Sequence, residues 1–260
     1  MIKHIFCDLD GTLYQDGVSS LDVEAVNSLK DENIVFHIAT GRVFRQSVSM
    51  TKDYLVNTTG YYISENGSLI YDNDENLIFT GTLDDNLVKK VIARFESDNA
   101  VMYFKYNGEV VLLKEHETLS KFIKKYTLDE DFANKESFNN LVGNIGIASN
   151  DIDELYRIEL YMKKEFSEVL DVYFSAENVI NLVPKGVSKR SSIKRVCEIL
   201  GVKEDEIATM GDSPNDISML EGIKYSFAMS HAKKSVIDSA NYKASSVADA
   251  IRQIVEINKK

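Results

Sequence analysis

Residues 1–81 and 184–260 share a rhythm that residues 82–183 lack. Near the N-terminus the apolar run IKHIFCDL reads as a short buried strand ended by a glycine-containing turn. SSLDVEAVNSLKDEN follows with loose helical spacing at Leu21, Val23, Val26 and Leu29, and with Ser19 or Ser20 as its cap. IVFHIATGR is a second strand, stopping at Thr40 and Gly41 before another helical stretch, and YYISENGSLIYD reads as strand, turn at Glu65-Asn66-Gly67, strand. After Pro184 the alternation returns. SKRSSIKRVCEILG is a helix closed by Gly201, EIATMGD a strand, PNDISMLEGI a helix and YSFAM a strand. Strands alternating with helices imply an α/β fold, a parallel sheet with helices on its faces. In such sheets ligands bind beyond the carboxyl ends of the strands.

The middle of the chain reads differently. LDDNLVKKVIARFESDN is helical, AVMYFKYNGEVVLLK is a hairpin turning at Asn107-Gly108, and a helix is expected around ETLSKFIKKY. Strand NIGIAS, helix DIDELYRIELYMKKEF and the strand pair EVLDVYF and NVINLVP, joined at Ala176-Glu177-Asn178, complete an α+β module. The expected organisation is residues 1–81 and 184–260 as one domain, interrupted by an inserted domain at 82–183.

Composition narrows the class. A chain of 260 residues with 44% hydrophobic residues and two prolines can build a sizeable core. Its 30 basic against 41 acidic residues give a formal charge of −11, which disfavours nucleic acid or an anionic membrane as partner. Cys7 and Cys197 form no disulfide framework and no metal-like spacing, so a reducing, cytoplasmic location is expected, with Cys7 in the core. No apolar run reaches the roughly 18 residues of a membrane helix.

The chemistry concentrates at strand ends. In KHIFCDLDGTLYQDG, Asp8 and Asp10 sit one residue apart. Like charges near one another resist ionising, so a cation or bound substrate is needed to compensate them. Three further clusters fall at strand ends or helix starts: ATGR, KGVSKRSS and GDSPND. Together they supply a nucleophile, a divalent-metal site, a positive side chain and hydroxyl or amide donors, as phosphoryl transfer requires. Each residue also has a plainer reading: Thr40 as a helix cap, Asp212, Asn215 and Asp216 as water-facing caps, Lys189 as a solvated first-turn lysine. Against the last, a helix N-terminus is unfavourable for a cation. His4, His37, His116 and His231 show no metal-ligand spacing.

DLDGT at 8–12, TGR at 40–42, ISENG at 63–67, KGVSK at 185–189 and GDSPND at 211–216 give the sequence a specific resemblance over nearly its full length. It resembles the haloacid dehalogenase-like hydrolase superfamily, in its Cof-type (subfamily IIB) branch. The resemblance implies a Rossmann-like parallel core with helices on both faces and an inserted α+β cap of the second class. By resemblance Asp8 is the nucleophile that forms an aspartyl-phosphate. Asp10 is the general acid and then base. The Asp8 carboxylate, the Asp10 carbonyl and the Asp212 carboxylate hold Mg²⁺. Thr40, the Gly41 and Leu9 amides, Lys189 and Asn215 contact phosphate, and Asp216 orients Lys189 or a metal-bound water. Asn66 is assigned to the substrate side or to structure.

Two positions depart from that branch. Arg190 stands where a small residue is usual, pointing to solvent or adding charge near the entrance. His231 replaces an asparagine. The implied function is an Mg²⁺-dependent phosphatase of small phosphorylated metabolites, sugar phosphates first. The cap would close over the core on hinges near Thr80-Gly81-Thr82 and Pro184-Lys185-Gly186 and decide the substrate. A phosphomutase of the phosphomannomutase kind is the second reading. It calls for several cap arginines, and residues 82–183 hold only Arg94 and Arg157. A silent binding protein on the same fold is the third, set against the intact Asp8, Asp10, Lys189 and Asp212. Oligomeric state is not readable from the sequence.

Overall fold

The computed structural model of the chain describes residues 1–120, 123 and 125–260. The chain divides into two compact units, Met1–Phe79 with Ser188–Lys260, and Thr80–Val187. The strands in chain order are β1 (His4–Cys7), β2 (Val35–Ala39), β3 (Tyr62–Ser64), β4 (Leu69–Tyr71), β5 (Leu77–Thr80), β6 (Val101–Tyr106) and β7 (Glu109–Leu112). They continue with β8 (Thr127–Leu128), β9 (Val142–Ala148), β10 (Leu170–Ala176), β11 (Val179–Pro184), β12 (Ile207–Gly211), β13 (Tyr225–Met229) and β14 (Tyr242–Ala244).

The first unit is built on a sheet of order β14-β13-β12-β1-β2-β3-β4-β5. From β14 to β3 the strands run parallel, and β4 turns back antiparallel on β3. Burial follows the period of two. Ile5 and Cys7 of β1 pack with Val26, Phe44, Val48, Ile251 and Ile254 on one face, while Phe6 packs with Ile193, Val196 and Cys197 on the other. Those partners come from the helices Ser20–Ser28, Phe44–Asp53 and Val247–Asn258 on one side and Lys189–Leu200 on the other. Each fully buried aliphatic or aromatic side chain of this kind contributes about 1.5–3 kcal/mol. Ser19 caps the first helix by accepting from the Asp22 amide, and Ser188 and Ser191 form a reciprocal cap on the helix Lys189–Leu200. The short strands β5 and β14 and the C-terminal helix Val247–Asn258 were not anticipated from the sequence.

The second unit carries a sheet of order β10-β11-β9-β6-β7-β8. Its pairings are antiparallel except for β7 with β8. The β6–β7 turn takes left-handed φ at both Asn107 (51°) and Gly108 (77°), the hairpin geometry that favours this dipeptide. The helices Asp85–Arg94 and Ile152–Phe166 bury Val88, Val91, Leu155, Ile158 and Met162 against Met102, Phe104, Ile145, Ile147, Ile180 and Leu182. Of the helix expected around ETLSKFIKKY, Glu117–Ser120 is helical, residues 121, 122 and 124 lie outside the described residues, and Tyr126 leads directly into β8. No described helix is long and apolar enough to cross a membrane.

Candidate active site

The register that aligns Cys7 with both Ile38 and Met210 brings the carboxyl ends of β12, β1 and β2 level. Asp8, Thr40 and Asp212 therefore emerge at one edge of the first unit's sheet. The Asp8 amide still donates to the Met210 carbonyl at 3.0 Å, so its side chain is fixed by the strand. Beyond it the chain doubles back, with the Tyr14 amide donating to the Leu9 carbonyl (2.8 Å) and the Gly11 amide to the Tyr14 carbonyl (2.9 Å). Gly11 has a φ of +83°, and a Cβ there would lie 2.2 Å from Asp212 Oδ2. Only glycine lets the turn and the Asp212 carboxylate share that space.

Lys189 starts a helix with its side chain fully enclosed, not solvated. Its Nζ donates to Asp8 Oδ1 at 2.5 Å and to Asp216 Oδ1 at 2.6 Å. Burial alone would lower the lysine's pKa, but Asp216 and Asp8 outweigh it and raise it above its usual value. Asp216 is saturated: its Oδ2 accepts from the Asp212 and Ser213 amides, both at 2.9 Å. Asp212 accepts from the Thr12 hydroxyl on Oδ1 (2.8 Å) and the Ser213 hydroxyl on Oδ2 (3.0 Å). Burial, then Asp216, push the Asp8 and Asp212 carboxyls above the usual carboxylate range, with Lys189 opposing.

Ligand atoms of Asp8, Asp212 and Asp216 all lie within 4.8 Å of one another. Three carboxylates against one ammonium leave two negative charges, the complement of a divalent cation. The donor set is all oxygen, which suits a hard cation. Asp216 is occupied by its three donors, so Asp8 and Asp212 retain the freer lone pairs.

Around this cluster, Thr40 is buried, its amide donates to the Ile63 carbonyl (2.8 Å), and its hydroxyl accepts from the Arg42 amide (3.1 Å). Gly41 lies against Asn66: a Cβ there would be 3.1 Å from Asn66 Oδ1. Asn66 sits in the left-handed region at φ 60°, held by its amide to the Thr40 carbonyl (3.0 Å), and its Oδ1 accepts from Asn215 Nδ2 (3.0 Å). Asn215 Oδ1 is buried without a hydrogen bond, while Ser213 and Asp216 do the local capping. The plain reading of Asn215 as a cap is thus replaced by a link to Asn66. The Leu9 side chain is fully buried and its carbonyl serves the turn.

Asp10 lies at the rim, where sequence reasoning missed a partner. Arg42 donates Nε to Asp10 Oδ2 (2.8 Å) and Nη2 to Asp10 Oδ1 (2.5 Å), and its guanidinium rests 5.3 Å from the Tyr14 ring centre. Burial opposes the Arg42 charge, but the Asp10 fork raises its pKa further above the ordinary range. The only signal in the sequence was the arginine of TGR itself, to which no role was given. Thr12 and Ser213 were missed in the same way. Arg190 points away from the carboxylates, donating to Glu204 Oε1 (2.6 Å) and the Glu221 carbonyl (3.4 Å). His231 Nε2 lies 4.0 Å from Asp212 Oδ2 on an exposed side chain.

The chain is 23% identical over 254 residues to the 5-amino-6-(5-phospho-D-ribitylamino)uracil phosphatase YbjI of Escherichia coli (strain K12), covering 94% of this chain and 91% of that protein. Among solved structures, a haloacid dehalogenase-like hydrolase from B. subtilis superposes with a TM-score of 0.86 at 22% identity, covering 97% of this chain and all of that one. A HAD subclass IIB sugar phosphatase superposes at 0.82 and 21% identity, with 98% and 99% covered. The family model for haloacid dehalogenase-like hydrolases matches residues 5–253, and the chain, with its carboxylate cluster at the carboxyl edge of a parallel sheet, belongs to that family.

Proposed function

We propose that the protein is an Mg²⁺-dependent phosphatase of small phosphorylated metabolites, sugar phosphates foremost, acting through an aspartyl-phosphate on Asp8. The observation that carries this reading is the fixed placement of Asp8, with Lys189 on one oxygen and Asp212 alongside. A carboxylate so held is aimed as a nucleophile, not as a cap. Asp8 attacks phosphorus, the ester P–O bond breaks, and the departing alkoxide takes a proton from Asp10. Asp10 then accepts a proton from water, whose oxygen attacks phosphorus and releases Asp8. In the pose seen both Asp10 oxygens accept from Arg42, so Asp10 must leave that fork before it can donate.

Lys189, backed by Asp216, offsets negative charge on the transferring group. Thr40, the Gly41 and Leu9 amides and Asn215 are the further phosphate contacts, Asn215 through Nδ2, since its Oδ1 can only accept. Asp8, the Asp10 carbonyl and Asp212 would hold Mg²⁺, which when bound neutralises the carboxylates and the incoming phosphate. Residues 82–183 act as the cap that selects the leaving group. The mutase reading loses support, because Arg94 lies 3.8 Å from Glu165 and Arg157 forks onto Glu154. The activities named for these relatives, on a phosphoribityl substrate and on sugar phosphates, fit the same class.

The test is phosphate release from a panel of sugar phosphates, nucleotides and cofactor phosphates, with Mg²⁺ and with chelator, for wild type and Asp8→Asn. Metal-dependent release that vanishes in Asp8→Asn is expected. Release that survives Asp8→Asn overturns the mechanism, and no release from wild type overturns the activity.

A further inference from the structure

The helix Ile152–Phe166 buries Leu155, Ile158, Met162 and Phe166 in the core of the second unit. Its opposite side is not the uniformly polar surface that such a helix usually shows to water. Tyr156 and Leu160, one turn apart, are 58% and 71% exposed. Asp153 stands three residues before the tyrosine and Lys163 three residues after the leucine, and both are exposed. Spacings of three, four and three residues keep Asp153, Tyr156, Leu160 and Lys163 on one stripe, the spacing of a helix–helix seam.

An acid near the first turn and a base in the last are what the helix macrodipole favours, so those charges alone call for nothing further. The tyrosine and leucine between them have no such reason to face water. The apolar patch also continues past the helix. The Tyr156 ring lies 4.9 Å from that of Phe174 on β10, itself half-buried, and β10 ends the sheet order on that side. The other flank of the helix is taken up, with Glu165 3.8 Å from Arg94 of the helix Asp85–Arg94.

The order acid, tyrosine, leucine, base is complementary to itself when reversed. Tyr156 and Leu160 are centred on Ile158, and so are Asp153 and Lys163. Two such helices packed antiparallel about a two-fold axis at that level set each Tyr156 against Leu160 of the second copy. The same axis sets each Asp153 against Lys163 of the second copy. Parallel packing would instead oppose like charges. Lys163 now lies 2.8 Å from Glu159 of its own helix, a surface pair worth little and free to exchange.

We propose that the protein forms a reversible homodimer through this face, the helix Ile152–Phe166 against its copy, with Phe174 and the edge of β10 along the margin. The occupant is a second copy of this chain because the stripe carries both halves of the complementary pattern. One helix pair is at the small end of specific interfaces, so dissociation in the micromolar range is expected. The proposal concerns the second unit alone and does not depend on the phosphatase reading.

The experiment is sedimentation equilibrium of the full chain from about 5 to about 500 µM, with circular dichroism to establish that each variant is folded. Wild type is expected to pass from monomer to dimer across that range, and Leu160→Glu to stay monomeric. Asp153→Lys opposes two bases and Lys163→Asp two acids, so each alone should weaken association at least about tenfold. Mixed in equal amounts, those two variants should pair with each other about as well as wild type does, since every charge then meets its opposite. A wild type that stays monomeric overturns the inference. So does a dimer that Leu160→Glu leaves intact, or a pair of charge variants that fails to recover on mixing. Should Leu160→Glu not fold, the two charge variants and their mixture decide alone.

Discussion

At the carboxyl edge of the first unit's sheet, Lys189, Asp8, Asp216 and Asp212 bond to one another or to neighbouring hydroxyls and amides, whereas Asn144 in the second unit lies equally buried with neither amide atom bonded. The first arrangement is complete apart from charge: three carboxylates face one ammonium. The second is neutral at its amides and lacks hydrogen bonds. A pre-wired cluster suits chemistry common to many substrates, since preorganised charge needs no rearrangement at the moment of transfer. Unmet buried amides are instead a local cost, since each leaves a desolvated donor or acceptor without a partner. Removing one carboxylate of the cluster, or an unmet buried amide, should therefore raise stability, whereas removing the ammonium should lower it.

The largest effect is expected from Asp8→Asn, which removes the proposed nucleophile and should abolish the proposed metal-dependent phosphate release. It also removes one of the clustered like charges. The variant should therefore unfold at a higher temperature than wild type in chelator, and Mg²⁺ should raise its midpoint less. A midpoint below wild type in chelator would mean the cluster is not held apart by charge, and the contrast with the second unit would lose its basis.

Lys189→Met tests the same cluster with the opposite sign. It leaves Asp8 and Asp216 buried and uncompensated, a change on the order of 3–5 kcal/mol for breaking a buried pair. Turnover should fall roughly 10²–10³-fold, the scale for losing one donor to developing charge. Denaturant titration in chelator reads the first and steady-state kinetics the second. Stability equal to wild type would show that Lys189 balances no net repulsion.

Arg42→Gln addresses the rim. Without the fork, Asp10 no longer has to leave Arg42 before donating, so kcat should rise by up to about tenfold with KM little changed, a fraction of the roughly 10²–10⁴-fold worth of a general acid–base group. The diagnostic is the pH profile of kcat, which should move for Arg42→Gln and not for Arg190→Gln, since Arg190 is engaged with Glu204 instead. An unmoved profile would make the Arg42 fork a surface ion pair of little consequence.

How far this contrast could be read from the chain depends on the range of the interactions. The strand–helix alternation and the clusters at strand ends were legible because each is local: an apolar run, a stop, a polar turn. Lys189, Asp8, Asp212 and Asp216 could be named together because each stands at such a stop. The Arg42 fork on Asp10 was not legible, because it joins the ends of two strands through a side-chain rotamer. Nor were the buried amides of the second unit. Asn144 and Asn181 look incidental within VGNIGIA and VINLVP, and only antiparallel register, where a one-residue slip would turn each to the other face, sets them together. Strands as short as β8 and β14 carry too few residues to show a period.

The opposite end of the first sheet supplies the smallest effect and a control for the others. At the amino ends of β1 and β2, His37 Nδ1 accepts from the Tyr61 amide at 2.8 Å, so its proton sits on Nε2 and faces His4 Nδ1 at 3.0 Å. That assignment holds only while both rings are neutral. Burial lowers both pKa values from the usual 6.5, far more for the enclosed His37 than for the half-buried His4. The unfolded chain therefore binds protons that the folded one refuses. Stability from this pair is whole above pH 6.5 and declines as pH falls toward the folded values, at a limit of about 1.4 kcal/mol per pH unit for His37. His4 adds less, being partly screened by solvent. Unfolding titrations between pH 7.5 and about pH 5 should steepen for wild type and flatten for His37→Phe, while the pH profile of kcat stays the same in both. A profile that moves with His37 would mean that the two ends of the sheet are coupled, and that the acid–base behaviour assigned to Asp10 cannot be read from kinetics alone.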